Sequence, residues 1–298
     1  MYNDWFMNFA PDAFRSTRVL TTEVVEAAIK VTNNLTDISP ETLRMHPEIL
    51  STLRMSTCPP LAVDRLIGLS RVSPGLVKFI EKEKKILTRA TESTVNADLQ
   101  RIADIIRRMA DPDIFVWLGR EEPADETEVH RAATIVADRL CGSVANPIIR
   151  NAQERRQLAA IERWLEARGY AKLTAADAIK FDQMPPATFG LRMNVPVRIG
   201  LGKVNIPVDV AIAPKGAQRG DLPIFFEAKS AGDYANVNKR RKEEAAKMSQ
   251  LKSTYGRRIK FNLFLCGYFD SGYLGYEAAE GIDWVWEHRI DDLEKFGL

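Results

Sequence analysis

The stretch from Pro207 to Lys229 constrains this chain more than any other. Pro-Val-Asp-Val-Ala-Ile-Ala-Pro is followed by the loop Lys-Gly-Ala-Gln-Arg-Gly-Asp and then by Leu-Pro-Ile-Phe-Phe-Glu-Ala-Lys. Two apolar runs around a Gly-containing loop read as adjacent strands of a hairpin. Side chains alternate along a strand, so Glu227 and Lys229 share one face, and Phe226 and Ala228 share the other. Asp209 falls mid-strand among Val208, Val210 and Ile212, where a carboxylate is costly unless something compensates it. A divalent cation held between Asp209 and Glu227 would compensate both, with Lys229 beside them to hold a water or a phosphate. An Asp, seventeen intervening residues and Glu-x-Lys fix only three positions, a pattern that chance also supplies, so the neighbouring elements carry the rest of the argument.

The chain of 298 residues is long enough for two domains or one large one. Its 45% hydrophobic and 28% charged content is that of an ordinary globular protein. No apolar run approaches the length that spans a bilayer, and the N-terminus shows no basic region followed by an apolar core. Cys58, Cys141 and Cys266 are isolated, which fits a reducing, cytoplasmic setting. His46, His130 and His288 are scattered, which argues against zinc and against histidine-dependent triads. Charge is uneven. Nine basic residues between Lys239 and Lys260 are opposed only by Glu243 and Glu244, a local +7 in a chain whose total is +2. Such a patch suggests a polyanionic partner; a solvated amphipathic helix is the alternative.

Residues 1–145 read as helical, with apolar residues at spacings of three and four in runs at Thr21–Ile29, Leu61–Leu69, Gly75–Leu87, Ala97–Met109 and Glu126–Leu140. Ser39-Pro40-Glu41 is a capped helix start. Leu53–Leu69 contains Pro59-Pro60, an extended turn, and a helix carrying Asp64 and Arg65, either an ion pair or a phosphate contact. Asn146-Pro147 marks a boundary, after which a helix runs from Ile149 to Leu165. Leu158, Ile161 and Leu165 form its buried stripe, and Glu154 lies on that stripe four residues before Leu158. Glu154 is therefore either a third acidic ligand facing Asp209 and Glu227 or a helix-start charge paired with an arginine. Strands follow at Phe189–Ile199, around Asp209 and around Glu227. A basic helix capped by Asn238 runs to Tyr255, then come a strand at Ile259–Tyr268, a short edge element at Ile282–Glu287 and a last segment at Ile290–Phe296.

Helix, three strands, helix, strand around Asp209, Glu227 and Lys229 resembles the core of the PD-(D/E)xK nuclease superfamily. Leu53–Leu69, Asn146–Tyr170 and Val208–Lys247, with Glu-Ala-Lys-Ser-Ala-Gly-Asp at its centre, resemble XamI-type type II restriction endonucleases. The resemblance implies an α+β (or α/β) fold: a helical region over residues 1–145 for embracing DNA or dimerising, then a nuclease core over 146–298, a mixed sheet flanked by helices. It implies Mg²⁺-dependent hydrolysis of double-stranded DNA at a short palindrome such as GTCGAC. Asp209 and Glu227 would be the metal carboxylates, Lys229 the motif lysine and Glu154 the helix acid. A homodimer and a cognate DNA methyltransferase in the host are implied with it. Val208 stands where the superfamily name has proline. Gln250 and Tyr255 are one residue too far apart for the exonuclease-like Gln-x-x-x-Tyr pattern. For DNA contact, Asp233, Asn236, Asn238, Lys239 and Arg240 suit base edges, and Arg241, Lys247 and Lys252 suit phosphates. A repair or junction-resolving nuclease, or a DNA-binding module with an inactive nuclease fold, are the alternatives.

Overall fold

The computed structural model describes every residue except 1, 87–90, 175–176, 178, 201, 219 and 233–236, and for 237–241 it describes the backbone alone. The chain divides into two compact units, Ala10–Ile148 and Met1–Phe9 with Ile149–Leu298. The division falls inside helix α1 (Tyr2–Val31) and inside helix α7 (Glu126–Ala167). No helix among the described residues is long and apolar enough to cross a membrane.

The first unit is helical. Between α1 and α7 lie α2 (Pro40–Met45), α3 (Leu50–Met55), α4 (Val63–Ser70), α5 (Pro74–Glu83) and α6 (Glu92–Met109). Ser39 caps α2 by accepting the Thr42 N–H, and Pro40 occupies the first turn, as the sequence indicates. Helix α6 starts ahead of its expected Ala97, because Thr91 accepts the Thr94 N–H and so closes a first turn that apolar periodicity alone does not mark. Its stripe of Val95, Leu99, Ile102 and Ile106 is buried with Leu53, Leu66, Ile80, Phe115 and Val136 in one core. Asp64 does not pair with Arg65; it lies 3.1 Å from Lys78, at the surface. A buried arginine of this unit pairs elsewhere: Arg54 lies 2.6 Å from Glu81 and also donates to the Leu61 carbonyl. Two adjacent helical residues diverge by about a quarter turn, so Asp64 and Arg65 could not face each other.

Two expectations about helix limits are corrected. Helix α1 starts at Tyr2, well before Thr21, and continues through Pro11. Its first turns gather aromatic rings at helical spacing: Tyr2 stacks on Phe6, and Trp5 on Phe9. Helix α7 runs unbroken through Pro147 rather than restarting after it. One proline removes a single backbone donor, and α7 is buried on both sides of it: Ala132, Val136 and Leu140 in one core, Leu158, Ile161 and Leu165 in another.

The second unit is a six-stranded mixed sheet in the order β1-β2-β3-β4-β5-β6. The strands are β1 (Ala171–Leu173), β2 (Thr188–Ile199), β3 (Gly202–Ala213), β4 (Ile224–Ala231), β5 (Lys260–Gly267) and β6 (Trp284–Trp286). β2, β3 and β4 are antiparallel neighbours, whereas β1 joins β2, β5 joins β4 and β6 joins β5 in parallel. Helix α8 (Val237–Tyr255) is the crossover between the parallel pair β4 and β5 and starts one residue ahead of Asn238, so Asn238 lies in its first turn. Helix α9 (Ser271–Ala279), capped by Asp270 accepting the Tyr273 N–H, and the short β1 were not legible in the sequence. One face of the sheet packs Phe226, Phe264 and Val285 with Leu158, Ile161 and Leu165 of α7. The other packs Phe225, Leu263 and Leu265 with Met248 and Leu251 of α8 and with Tyr273 of α9. This is the expected α+β organisation: a helical region, then a mixed sheet flanked by helices.

Candidate active site

β3 and β4 pair as Ile212 with Ile224, Ala211 with Phe225 and Val210 with Phe226. Residues opposite each other in such a pair share a face. One further step in that register sets Asp209 against Glu227, and there the backbone ladder stops. Asp209 Oδ2 instead accepts the Ala228 N–H at 2.8 Å, so the carboxylate takes a donor that strand pairing would have used. Burial first, then the neighbouring Glu227, raise the Asp209 carboxyl to about 6, against the downward pull of the Ala228 N–H and of Lys229. Two acidic groups forced together in a dry place constitute an electrostatic demand for a cation.

The strand distortion that makes room for Asp209 involves Arg192. β2 and β3 hold one register from Thr188–Ala213 to Ile199–Gly202, and only the Arg192–Asp209 position is unpaired. Arg192 has φ 52°, a left-handed backbone that is unfavourable for a residue with a Cβ. Around it both strands exchange faces. Leu191 and Val210 pack toward α7, whereas Val195, Val197 and Val208 pack toward α8, although alternation would have kept Val208 with Val210.

Glu227 is buried, and Lys247 of α8 holds it: its Nζ is 2.8 Å from both carboxylate oxygens and donates also to the Pro207 carbonyl at 2.9 Å. Lys229 Nζ lies 3.2 Å from Glu227 Oε1 and 3.3 Å from Glu244 Oε1. Burial works against the Lys229 charge, but Glu227 and Glu244 outweigh it, and its ammonium keeps its proton above the usual lysine range. Glu244 is 1% exposed and accepts the Tyr273 hydroxyl on Oε2 at 3.0 Å. Its Oε1 is close enough to Lys229 for an ion pair but lacks hydrogen-bond alignment. Burial pushes the Glu244 carboxyl up, against the opposing pull of Lys229 and the Tyr273 hydroxyl. On the α7 side, buried Gln157 donates to the carbonyls of Lys229 and Phe264, tying β4 to β5 behind the site. Arg156 forms a two-pronged pair with buried Glu287 and donates to Cys266, whose thiol is pushed up to about 12 by burial and by Glu287.

Asp209, Glu227 and Lys229 are thus gathered. Glu154 is half-buried and paired with Arg192 at 2.8 Å; its charge adds a small upward push on Asp209. Among the described residues no three His, Cys, Asp or Glu side chains form a metal-holding group. A hard divalent ion that takes one or two carboxylates and keeps most of its waters fits the Asp209–Glu227 pair, and Lys247 already places a cation against Glu227. Of the residues typed for DNA contact, Asp233 and Asn236 lie outside the described residues, and for Asn238, Lys239, Arg240 and Arg241 only the helical backbone of α8 is described. Lys247 points into the acidic site rather than to solvent, and Lys252 Nζ donates to the Glu280 carbonyl. Sequence reasoning missed Glu244, Tyr273, Gln157 and Arg192. Glu244 carried a usable signal: it precedes Met248 and Leu251 at spacings of four and seven, the stripe logic that singled out Glu154.

The model of the XamI restriction endonuclease family matches residues 33–286, a span that includes the three stretches singled out above. The chain belongs to the XamI restriction endonuclease family. With that family, it is a type II restriction endonuclease. The enzyme is 53% identical over 297 residues to "Type II restriction enzyme SalI" of Streptomyces albus G, covering 100% of this chain and 94% of that one. A solved structure, protein VC1899 from Vibrio cholerae, aligns at 12% identity and a TM-score of 0.28, over 85% of this chain and 55% of its own. A superposition that slight carries nothing about fold or function.

Proposed function

We propose that the enzyme hydrolyses phosphodiester bonds in double-stranded DNA at a short palindrome, for which GTCGAC is the first to test, and that it uses Mg²⁺ held by Asp209 and Glu227. The observation that carries this reading is the opposition of those two carboxylates across β3 and β4, with Lys229 on the same face and Asp209 raised to about 6. When bound, Mg²⁺ supplies Lewis-acid stabilisation of the phosphate and lowers the pKa of a coordinated water. Asp209 and Glu227, opposed across β3 and β4, would hold the ion. Lys229, a protonated donor beside them, orients the attacking water and offsets the negative charge that develops on the phosphate. Glu154, tethered by Arg192, adds negative charge near Asp209 and strengthens the site's pull on the cation. Arg241 supplies positive charge for the backbone phosphates, and Asp233, Asn236, Asn238, Lys239 and Arg240 supply groups for base edges. The host is expected to carry a DNA methyltransferase of matching specificity, and both proteins to act in the cytoplasm.

Asp209→Ala, Glu227→Ala and Lys229→Ala are each expected to slow cleavage of a plasmid bearing the target by about 10²-fold or more, with duplex binding in Ca²⁺ retained. Discrete fragments from the unaltered enzyme identify site-specific cutting. Cutting at the normal rate by any one variant removes that residue from the site, and cutting in chelator removes the metal.

A further inference from the structure

Four charges alternate between β4 and α8. Glu227 and Lys229 stand two residues apart on one face of the strand, and Glu244 and Lys247 stand three apart on one face of the helix. Helix α8 is the crossover between two parallel strands, so it runs back against β4. Lys247 therefore meets Glu227, at 2.8 Å, and Glu244 meets Lys229, at 3.3 Å. The two pairs differ in one respect. Glu227 is the carboxylate that would hold the metal, and an ion there would compete for it with both lysines. Lys247 keeps the Pro207 carbonyl. Lys229, with its side chain 19% exposed, keeps only Glu244 among its described acidic neighbours other than Asp209, which the metal also claims. A buried ammonium without a counter-charge beside a dication is not tenable in place. Glu244 is suited to supply that counter-charge, since it is 1% exposed, Tyr273 fixes its Oε2, and its Oε1 has no other described partner.

The geometry points to Glu244 as a positioning residue that holds Lys229 over the reacting centre once the metal has claimed Glu227, with Tyr273 as the group that aims it. The inference rests on the reading of Lys229 above. Cleavage by the full-length enzyme with Mg²⁺ tests it, through kcat, KM and Ca²⁺-supported duplex binding. Glu244→Gln is expected to lower kcat about 10- to 100-fold, as loss of a supporting partner does, and to leave KM and binding within about twofold. Because Glu244 acts through Lys229, Glu244→Gln is expected to cost nothing further in a Lys229→Ala background. Tyr273→Phe keeps the carboxylate and frees it to turn; it is expected to give a smaller loss of kcat, absent in the Glu244→Gln background. Equal losses from Glu244→Gln with and without Lys229 would mean a structural role and overturn the inference. So would an unchanged kcat while Lys229→Ala is inactive, and that outcome leaves the reading of Lys229 standing. A fully active Lys229→Ala overturns both. If Glu244→Gln does not fold, Tyr273→Phe decides in its place: an unchanged kcat in that variant overturns the inference.

Discussion

Asp209 shows at the scale of one residue how the candidate active site trades against stability. Its carboxyl rises from an ordinary value to about 6 because it is buried beside Glu227. A raised acid binds its proton more tightly folded than unfolded. Its stabilising contribution is therefore complete below the unfolded pKa near 4 and is lost as pH rises through about 6. The metal-free enzyme is expected to lose on the order of 1–3 kcal/mol between pH 4 and pH 7 from this group. Asp209→Asn is expected to flatten that part of the profile and to make the metal-free protein more stable at pH 7 than the unaltered one. Urea denaturation in chelator across this range measures it. Mg²⁺ should restore stability at pH 7 in the unaltered enzyme and not in the variant; an identical pH profile for the two proteins would show that Asp209 is not the strained group.

Among the elements, the β2–β3 pair is the least ordinary. A strand keeps one face to each side of a sheet, yet both of these exchange faces around Arg192 and Asp209. The exchange requires Arg192 at φ 52°, a backbone that β-branched residues resist most strongly. Valine, a favourable strand residue elsewhere, is accordingly expected to be costly here. Arg192→Val should destabilise by about 1–3 kcal/mol, whereas Arg192→Gly, which loses the Glu154 pair but accepts the conformation, should stay within about 1 kcal/mol. Chemical denaturation of the two variants compares them directly. A valine variant as stable as the glycine one would mean that the strands can rearrange without the left-handed residue.

For the whole molecule the question is how one motif cuts two strands. Each chain carries one Asp209–Glu227–Lys229 set, and a palindrome presents the same base edges twice about a two-fold axis. A homodimer whose axis coincides with that of the DNA satisfies both with one interface. Light scattering on the enzyme with a short palindromic duplex and Ca²⁺ is expected to give two chains per duplex. One chain per duplex together with clean double-strand cutting would exclude the dimer.

The sequence by itself determined the succession of β2, β3, β4, α8 and β5 and the gathering of Asp209, Glu227 and Lys229. Both follow from local rules: alternation puts Glu227 and Lys229 on one face, and a hairpin sets Asp209 opposite them. Glu154 was legible as a face of α7 but not as a partner of Arg192, because helical periodicity gives direction and not distance. Glu244 lay hidden for a related reason. On a helix read for its basic patch, one acid looks like a neutralising charge; its spacing to Met248 and Leu251 gives it a buried direction, and only the packing of α8 on β4 sets it against Lys229. The continuity of α7 through Pro147 was likewise decided by burial on both sides of the proline, which outweighs one lost backbone donor. The face exchange at Arg192 has no local signature at all. It exists because β3 must deliver a carboxylate to β4 while its flanking valines stay buried on opposite sides of the sheet, and only the assembled sheet imposes both conditions at once.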